Sequence, residues 1–396
     1  MRALKFWALV GTCIAVASAL LVAWLRTTQT GLAVNPPGLA RASTSAFPIQ
    51  QLEVPDGFRI QVFARHLDRP RLLRWTPAGQ LLVSLPHRGE VWRLSADANH
   101  DGRTDGQQAV VTGLRRPHGL DFHHDATGRL WLYIAETHQV GRLPWDAVED
   151  RPAGPYRPVI DLPDGGMHWT RTLRSGPDGA LYVSVGSSCN SCVEADPRRA
   201  ALLRIDPATG TSEVYASGLR NAVGFDWTAE GALYATENGR DFLGDDRPPD
   251  ELNRIVPGGF YGWPYLHGVD IPDPNLDKLG RTEPEHSRVP AHLFRAHNAP
   301  LGIDFIRGGG LPQPYPGAAV VALHGSWNRS QKDGYSVVVL RPDGHGGFDE
   351  RPLVTGFERG GQVIGRPVDV QEGPDGALYI SDDHAGQVYR LSHRLE

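Results

Sequence analysis

One loop histidine and three arginines are the residues on which a chemical role for this chain can rest. His168 follows a polar segment and precedes the alternating run 181–185, the pattern of a strand with two unlike faces. Imidazole has an unperturbed pKa of roughly 6.5, so a histidine held beside a rigid hairpin could accept a substrate proton near neutral pH. The competing interpretation is a surface histidine whose hydrogen bonds are satisfied.

The three arginines stand at similar positions in different parts of the chain. Arg220 is followed by Asn221 and an apolar run, Arg329 lies in a polar cluster, and Arg366 begins a further strand-like segment. Guanidinium groups facing one cavity would repel each other unless a polyanion lay between them, and their planar donors match carboxylates. We therefore predict that they line one funnel with His168, the alternative being separate solvated charges.

Recurring hairpins predict the architecture. Each has a turn containing glycine, often as Pro-Asp-Gly, followed by a short apolar strand. A spacing of roughly fifty residues fits one four-stranded propeller blade per repeat. A diverged copy near residues 315–322 divides the one long interval, so the sequence predicts an all-β, six-bladed β-propeller over residues 50–396. The turn glycines of the clear copies are Gly79, Gly128, Gly179, Gly231 and Gly376.

Composition agrees with such a fold and argues against one class of partner. The chain has 46 Gly and 32 Pro, which suits many short strands joined by turns. Its formal net charge of −5 leaves no basic surplus with which to hold nucleic acid. We therefore expect a small-molecule ligand and no nucleic-acid partner.

The beginning of the chain predicts export. Residues 6–25 form an apolar run flanked by Arg2, Lys5 and Arg26. A run of this length spans a bilayer as a helix, so we favour an uncleaved membrane anchor, with cleavage of a signal peptide near residues 17–19 as the alternative. Residues 1–26 are thus a signal peptide or anchor and residues 27–49 a linker. The body is expected to face the periplasm or the exterior.

Two cysteines stand three positions apart in a polar segment. Cys189 and Cys192 could form a redox pair, ligate zinc or remain free thiols. A structural disulfide suits an oxidising compartment better, and a second CxxC motif that would complete a zinc site is missing. We predict a disulfide.

One acidic loop has the beginning of a calcium-binding motif. Asp97, Asn99, Asp101 and Asp105 alternate along it with a glycine at the sharp turn, so their oxygens could converge on one ion. The glutamate that would close the loop is replaced by Gln108. A weak structural calcium site and a solvated Asx turn are both compatible with the pattern.

Several of these segments together resemble the glucose/sorbosone dehydrogenase family. Members of that family are six-bladed quinoproteins that carry pyrroloquinoline quinone (PQQ) and calcium. The resemblance covers roughly residues 54–391, and the motifs are specific jointly and in order. They are the hairpin 168–186, Leu219-Arg220-Asn221, Glu237-Asn238-Gly239, Asp250-Glu251-Leu252-Asn253, the Gly-Gly-Phe-Tyr-Gly-Trp-Pro run 258–264 and the Arg-Pro-Val-Asp-Val run 366–370.

The resemblance implies a role for each matching residue. His168 would be the catalytic base and Arg220 the catalytic group beside the reactive quinone carbonyl. The backbone carbonyls of Gly239 and Arg240 would hold the active-site calcium. The residues assigned to cofactor binding are Asn221, Arg329, Arg366 and His384.

This chain also departs from the glucose-oxidising members. A second arginine expected two positions after Arg366 is Val368. Arg329 stands near where those members use a lysine, and Arg240 stands where they carry a proline. These departures, together with the cysteine pair, place the chain nearer the sorbosone-like branch.

The resemblance implies a PQQ-dependent oxidoreductase that oxidises an aldose, a sorbosone-like substrate or another sugar or aldehyde. Hydride would pass to the quinone, with a histidine general base and Ca²⁺, and an electron acceptor that the sequence does not identify would reoxidise the cofactor. Two other classes remain open: a calcium-dependent propeller lactonase and a binding propeller without chemistry.

Overall fold

The computed structural model describes residues 49–276 and 286–393. The predicted signal or anchor segment and nearly all of the predicted linker lie outside these described residues. Within them, no helix has the length and apolar character needed to cross a membrane. The described chain is all-β apart from one 3-10 turn, Ile49–Gln51, which confirms the predicted fold class.

The first three blades follow one another along the chain. The strand β1 (Phe58–Ala64) precedes them and belongs to the last blade. The first blade contains β2 (Leu73–Trp75), β3 (Leu81–Leu85), β4 (Glu90–Leu94) and β5 (Gln107–Val111). The second contains β6 (Gly119–His124), β7 (Leu130–Glu136), β8 (Gln139–Asp146), the short β9 (Arg151–Pro152) and β10 (Arg157–Asp161). The third contains β11 (Leu173–Ser175), β12 (Leu181–Val185), β13 (Ala201–Ile205) and β14 (Ser212–Ser217).

The remaining blades complete the ring. The fourth contains β15 (Ala222–Trp227), β16 (Leu233–Glu237), β17 (Asp250–Ile255) and β21 (His292–Phe294). An insertion between β17 and β21 contains the short strands β18 (Gly259–Phe260), β19 (Leu266–His267) and β20 (Ile271–Pro272). The fifth contains β22 (Pro300–Phe305), β23 (Ala319–Leu323), β24 (Ser336–Pro342) and β25 (Phe348–Val354). A hairpin of β26 (Glu358–Arg359) and β27 (Gln362–Val363) leads to β28 (Pro367–Glu372), β29 (Leu378–Asp382) and β30 (Gln387–His393). In the sixth blade β1 pairs antiparallel with β30.

The predicted repeat has a direct structural cause. In each blade the hairpin glycine links the innermost strand to the second strand and has a φ between 74° and 83°, a region that glycine occupies without steric cost. The diverged copy supplies the fifth blade through Gly317. Because these turns lie at one end of the ring, the loops that precede the innermost strands meet the loops that follow the second strands at the other end. That end holds the candidate site.

Carboxylates on the innermost strands join neighbouring blades. Each accepts a hydrogen bond from a backbone amide on the innermost strand of the next blade. The carboxylate thereby gives a partner to an amide that faces the channel, where no neighbouring strand could accept from it. Apolar side chains fill the space outside this ring, as where Phe225 and Ala235 of the fourth blade pack with Tyr182 of the third. The four amide-to-carboxylate pairs are Ser175 to Asp121 at 2.6 Å, Phe305 to Asp226 at 2.9 Å, Glu372 to Asp304 at 2.7 Å and Leu73 to Asp369 at 2.8 Å.

A buried arginine stands among these four carboxylates. Arg174 is 5% exposed and lies on β11. Burial by itself would lower the pKa of its guanidinium, but the attraction of the four aspartates raises it. Burial, followed by repulsion from Asp226, raises the pKa of Asp304 to about 7. Arg174 therefore helps to neutralise this ring of buried carboxylates, together with Arg74, which pairs with Asp121 at 2.6 Å, and Arg307, which pairs with Asp226 at 2.8 Å.

We expect Arg174→Met to destabilise the fold by about 3–5 kcal/mol, since it leaves uncompensated buried charge. The loss should be smaller at pH 5 than at pH 8. A carboxyl whose folded pKa is raised, such as that of Asp304, contributes stability at low pH that is lost as pH rises through that pKa, and removing the arginine raises the pKa of Asp304 further.

Urea unfolding at both pH values measures this effect. The matched control is Arg204→Met, because the Arg204 guanidinium pairs with Asp178 at a solvent-exposed site and an exposed pair contributes under about 1 kcal/mol. Equal losses in the free energy of unfolding from the two substitutions would show that the four buried aspartates are neutralised without Arg174.

Candidate active site

A polar cavity of about 330 Å³ opens at the end of the ring opposite the hairpin turns. Loops that precede β2, β11, β15, β22 and β28 meet there with loops that follow β16 and β23. The lining combines histidines, arginines and aspartates with a small apolar floor. Its residues are Arg71, His168, Thr170, Arg220, Asn221, Val223, Asn238, Gly239, Asp241, Asp250, His297, Ala299, Leu301, His324, Gly325, Trp327, Asn328 and Arg366.

His168 is held in one tautomer with one nitrogen unused. Its Nδ1 lies 2.9 Å from both the carbonyl oxygen and the hydroxyl of Ser187. That hydroxyl donates its own proton to the Cys189 carbonyl at 2.6 Å, so Nδ1 carries a proton and donates it to Ser187. Among the described residues no hydrogen-bond partner is found for Nε2. The lone pair of Nε2 is therefore available to accept a proton.

The surroundings keep His168 uncharged. Burial, and then the positive charge of Arg220, lower the pKa of its imidazole to about 3. Gly186 gives the ring its room, since a Cβ there would lie 2.6 Å from the His168 Cβ and 2.7 Å from the Asn221 amide oxygen. His168 is consequently in its proton-accepting form across the neutral pH range.

Every N–H of the Arg220 guanidinium is used within the protein. Nη1 donates to the carbonyls of Asn238 at 3.1 Å and Gly239 at 2.8 Å. Nε and Nη2 donate to Asn190, and Nη2 also reaches an Asp241 carboxylate oxygen at 3.0 Å. A guanidinium has five donors, so this one supplies a fixed positive charge with no spare hydrogen bond. Burial lowers its pKa.

The predicted calcium carbonyls lie beside this charge. The Gly239 oxygen lines the cavity and already accepts from Arg220, while Arg240 lies outside the lining and pairs with Asp273 at 2.5 Å. Two carboxylates are close by, on Asp241 and Asp250. Burial raises the pKa of Asp250 to about 7 although it accepts amide hydrogen bonds. Asp250 and Asp241, the latter already paired with Arg220, are the acidic groups nearest to a cation that would bind the Gly239 carbonyl oxygen.

The other side of the cavity carries unused positive charge. Arg366 donates from Nε to the His324 carbonyl and from Nη2 to the Gly325 carbonyl, and no described residue accepts from its Nη1. Arg71 also lines the cavity; it pairs with Asp383 through Nη1 at 2.8 Å, and no described residue accepts from its Nη2. Free guanidinium donors facing one cavity make an anion site.

His324 is a second histidine with a carboxylate partner. Its Nε2 lies 2.9 Å from Asp383, which also binds Arg71. Burial, and then Arg366, lower its pKa to about 4, so the neutral ring donates from Nε2. His324 is thus a second neutral histidine among the three that line the cavity, and its role must be tested against that of His168.

The structure brings together only part of the predicted site. His168, Arg220, Asn221, Gly239 and Arg366 share the cavity, whereas Arg329, Arg240 and His384 are not among its lining residues. The expectation of one funnel for all three arginines therefore fails for Arg329, whose guanidinium donates to the Asp245 and Ala296 carbonyls and approaches Asp246 at 3.2 Å. These loop contacts turn it away from the cavity.

The remaining sequence predictions concern the cysteines and the acidic loop. Cys189 and Cys192 form a disulfide, as predicted. In the loop 97–105, Asp97 accepts from the amides of Asp101 and Gly102, and Asp105 accepts from Ala98. Its carboxylates do not belong to any group of three candidate ligands found among the described residues. The loop therefore has the hydrogen bonds of Asx turns, and calcium at this position stays a prediction.

Comparison with known proteins places this propeller in a family. The profile of the glucose/sorbosone dehydrogenase family matches residues 160–390, and a TrAA12-like profile matches residues 52–255. The first match covers more than half of the chain. The chain belongs to the glucose/sorbosone dehydrogenase family, which confirms the resemblance found in its motifs.

Individual relatives are distant. A pyrroloquinoline quinone-dependent pyranose dehydrogenase of Coprinopsis cinerea is 26% identical, over 86% of this chain and 54% of that longer protein. An aldose sugar dehydrogenase of Escherichia coli is 24% identical, over 86% of this chain and 94% of the relative. The holo PQQ domain of the Coprinopsis pyranose dehydrogenase has a TM-score of 0.71 at 23% identity and covers 86% of this chain and 97% of that one. It has the same fold.

Proposed function

We infer that this protein is a PQQ-dependent dehydrogenase that oxidises an aldose, a sorbosone-like sugar or a related aldehyde. The observation that carries the proposal is the juxtaposition of a neutral His168, with an unused Nε2, and the unused guanidinium donors of Arg71 and Arg366 in one cavity. Family membership supports it, as do the names of the relatives.

The donor set fits a polycarboxylate cofactor. Arg366 Nη1 and Arg71 Nη2 would bind its carboxylates, since no described residue accepts from either group. Asn221 lines the same cavity and has no side-chain hydrogen bond within the described chain. When bound, PQQ supplies the acceptor for a hydride from the sugar carbon. We do not include Arg329 or His384 in this site.

The residues of the chain handle the proton and the charge. His168 Nε2 accepts the proton of the hydroxyl on the reacting carbon, which an aldehyde carries as its hydrate, and the Ser187 carbonyl holds the imidazole through Nδ1. Arg220 stabilises negative charge that develops nearby through its fixed field, since its five donors already have acceptors. Val223 and Leu301, which pack with Val368 behind them, form an apolar floor that keeps water from that side of the cavity.

Reconstitution tests the proposal. Purified protein is loaded with PQQ and calcium, its spectrum is recorded, and aldoses and aldehydes are tested with an artificial electron acceptor. We expect a changed quinone spectrum and acceptor reduction with at least one sugar. Lactone hydrolysis without quinone would favour a lactonase, and quinone or sugar binding without turnover would favour a binding propeller.

We also propose that calcium binds at the Gly239 and Arg240 carbonyls and couples to the quinone. Coupling between two ligands of one site is commonly about 5- to 150-fold. We expect a chelator to raise the PQQ dissociation constant within that range and added Ca²⁺ to restore it, as followed by quinone absorbance. By reciprocity PQQ must tighten calcium binding by the same factor. Identical PQQ affinities with and without calcium would contradict the site.

Export of the propeller domain remains part of the proposal. The Cys189–Cys192 disulfide supports an oxidising compartment, such as the periplasm or the exterior. Anchoring in the cytoplasmic membrane through residues 6–25 is the accompanying hypothesis. Fractionation of producing cells, with and without those residues, tests both.

A further inference from the structure

The polar turn 187–192 follows β12, contacts two residues that line the cavity, and is closed by the Cys189–Cys192 disulfide. It has no regular secondary structure and, apart from buried Ser187, is only partly shielded from solvent. Both groups to which we assign chemistry, His168 and Arg220, bind it. We call it the disulfide turn.

The disulfide turn sets the tautomer of the histidine. The Ser187 carbonyl accepts from His168 Nδ1 at 2.9 Å, and the Ser187 hydroxyl is directed to the Cys189 carbonyl. The backbone amide of Ser187 in turn donates to the Arg220 carbonyl at 2.7 Å. A displacement of this backbone would release the ring and permit the other tautomer, whose proton would occupy Nε2.

The same turn holds the arginine through one residue. Asn190 accepts from Arg220 Nε at its carbonyl at 2.9 Å and from Nη2 at its side-chain oxygen at 2.8 Å. That side-chain oxygen also accepts from the Asp241 amide at 2.8 Å, while the Asn190 amide nitrogen donates to the Asp241 carbonyl at 3.2 Å. Asn190 therefore connects the third blade to the loop after β16 in the fourth.

We propose that the disulfide turn is the positioning element of this active site, with Asn190 as its central positioning residue, and that the site depends on the Cys189–Cys192 bond. The effect that we expect on catalysis rests on the function proposed above. The role of the turn in positioning His168 and Arg220 is independent of that function.

The dependence on the disulfide follows from exposure. In a partly exposed turn, water competes for the hydrogen-bonding groups of the protein. A covalent link removes the open conformations in which water would replace the protein partners. Reduction by a dithiol breaks the S–S bond, adds two electrons and two protons to the sulfurs as two thiols, and leaves the dithiol as a cyclic disulfide. The freed backbone then no longer fixes Ser187 and Asn190.

Three variants test the proposal in the reconstituted protein. We expect Asn190→Ala and the double variant Cys189→Ser, Cys192→Ser to lower kcat about ten- to hundredfold, the scale of a small misplacement of reacting groups. KM and the PQQ dissociation constant should stay within about threefold, since the anion donors of Arg71 and Arg366 lie elsewhere in the cavity. Asn190→Asp keeps the oxygen that accepts from Arg220 and the Asp241 amide but loses the donor to the Asp241 carbonyl, so it should recover part of kcat. The control is Val193→Ala, a residue beside the turn with 57% of its surface exposed.

A second readout needs neither cofactor nor turnover. Histidine ring NMR of the cofactor-free protein, with the His168 signals assigned by comparison with His168→Gln, should show a proton on Nδ1 and no titration near pH 6.5. Reduction by a dithiol, verified by alkylation and mass spectrometry, should move that titration toward pH 6.5 and mix the tautomers.

Unchanged kcat and unchanged His168 titration in folded Asn190→Ala protein would overturn the proposal, as would an unchanged titration after complete reduction. Asn190→Ala retains both cysteines, so the outcome does not depend on whether the double cysteine variant folds. If the wild-type protein loaded with PQQ oxidises no sugar, the proposed function fails while the NMR measurement still decides the role of the turn.

Discussion

We expect His168→Gln to lower turnover by about a hundredfold to ten-thousandfold, the usual cost of losing a general base, while PQQ and calcium still bind. Glutamine can still donate to the Ser187 carbonyl but has no nitrogen that accepts a proton near neutral pH. Initial rates under saturating sugar measure the change, and quinone absorbance measures cofactor affinity in the same samples.

Two other histidines line the cavity. His297 has both ring nitrogens engaged, since Nε2 donates to the Gly244 carbonyl at 2.8 Å and Nδ1 lies 3.4 Å from the Asn328 amide nitrogen. The competing base is therefore His324, which is also neutral. His118 is fully buried against Trp169, and His384 lies outside the lining. His324→Gln should reduce turnover much less than His168→Gln, because its Nε2 is engaged by Asp383. If His324→Gln reduced turnover more than His168→Gln, the His324–Asp383 pair would have to be the group that accepts the substrate proton.

Arg366→Ala should raise the PQQ dissociation constant about ten- to hundredfold, since hydrogen bonds to a charged partner contribute about 1.5–3 kcal/mol. The unused Nη1 donors are lost together with the positive charge. Arg366→Lys keeps the positive charge without the planar guanidinium, so its PQQ dissociation constant should lie between those of the wild-type protein and Arg366→Ala. Equilibrium titration followed by quinone absorbance gives all three constants.

The control for this series is Arg204→Ala, which removes a partly exposed arginine from β13, the third strand of its blade. Arg366 also donates to the His324 and Gly325 carbonyls, so thermal unfolding of each variant is needed to show that the loop after β23 remains folded. Unaltered PQQ affinity in folded Arg366→Ala protein would remove the anion site from the proposal.

The sequence predicts the ring well because its signal is local. A turn that needs glycine at positive φ can be recognised from neighbouring residues, and six such turns define six blades. The direction of a side chain in a loop has no such signal. Arg329 shows this, because the partners that turn it away are backbone carbonyls of loops some 30 and 80 residues earlier, at Ala296 and Asp245.

Arg71 shows what could have been found. It stands two residues before β2, as Arg220 stands two residues before β15, so alignment of the repeats on their innermost strands would have revealed it. The saturated donors of Arg220 could not be read in this way. They depend on Asn190, which lies in an irregular turn of another blade, and spacing alone does not show such a contact.

The pairing of β1 with β30 has a consequence for biosynthesis. The two strands of this pair are separated by almost the whole propeller sequence, so the last sheet cannot form until synthesis is nearly complete. Until then β1, with the sequence FRIQVFA, lacks its partner and presents an unpaired edge. Loop closure over such a distance is slow, and an early strand of this kind is prone to aggregation. A chain that crosses a membrane unfolded would postpone this hazard to the compartment in which both strands are present.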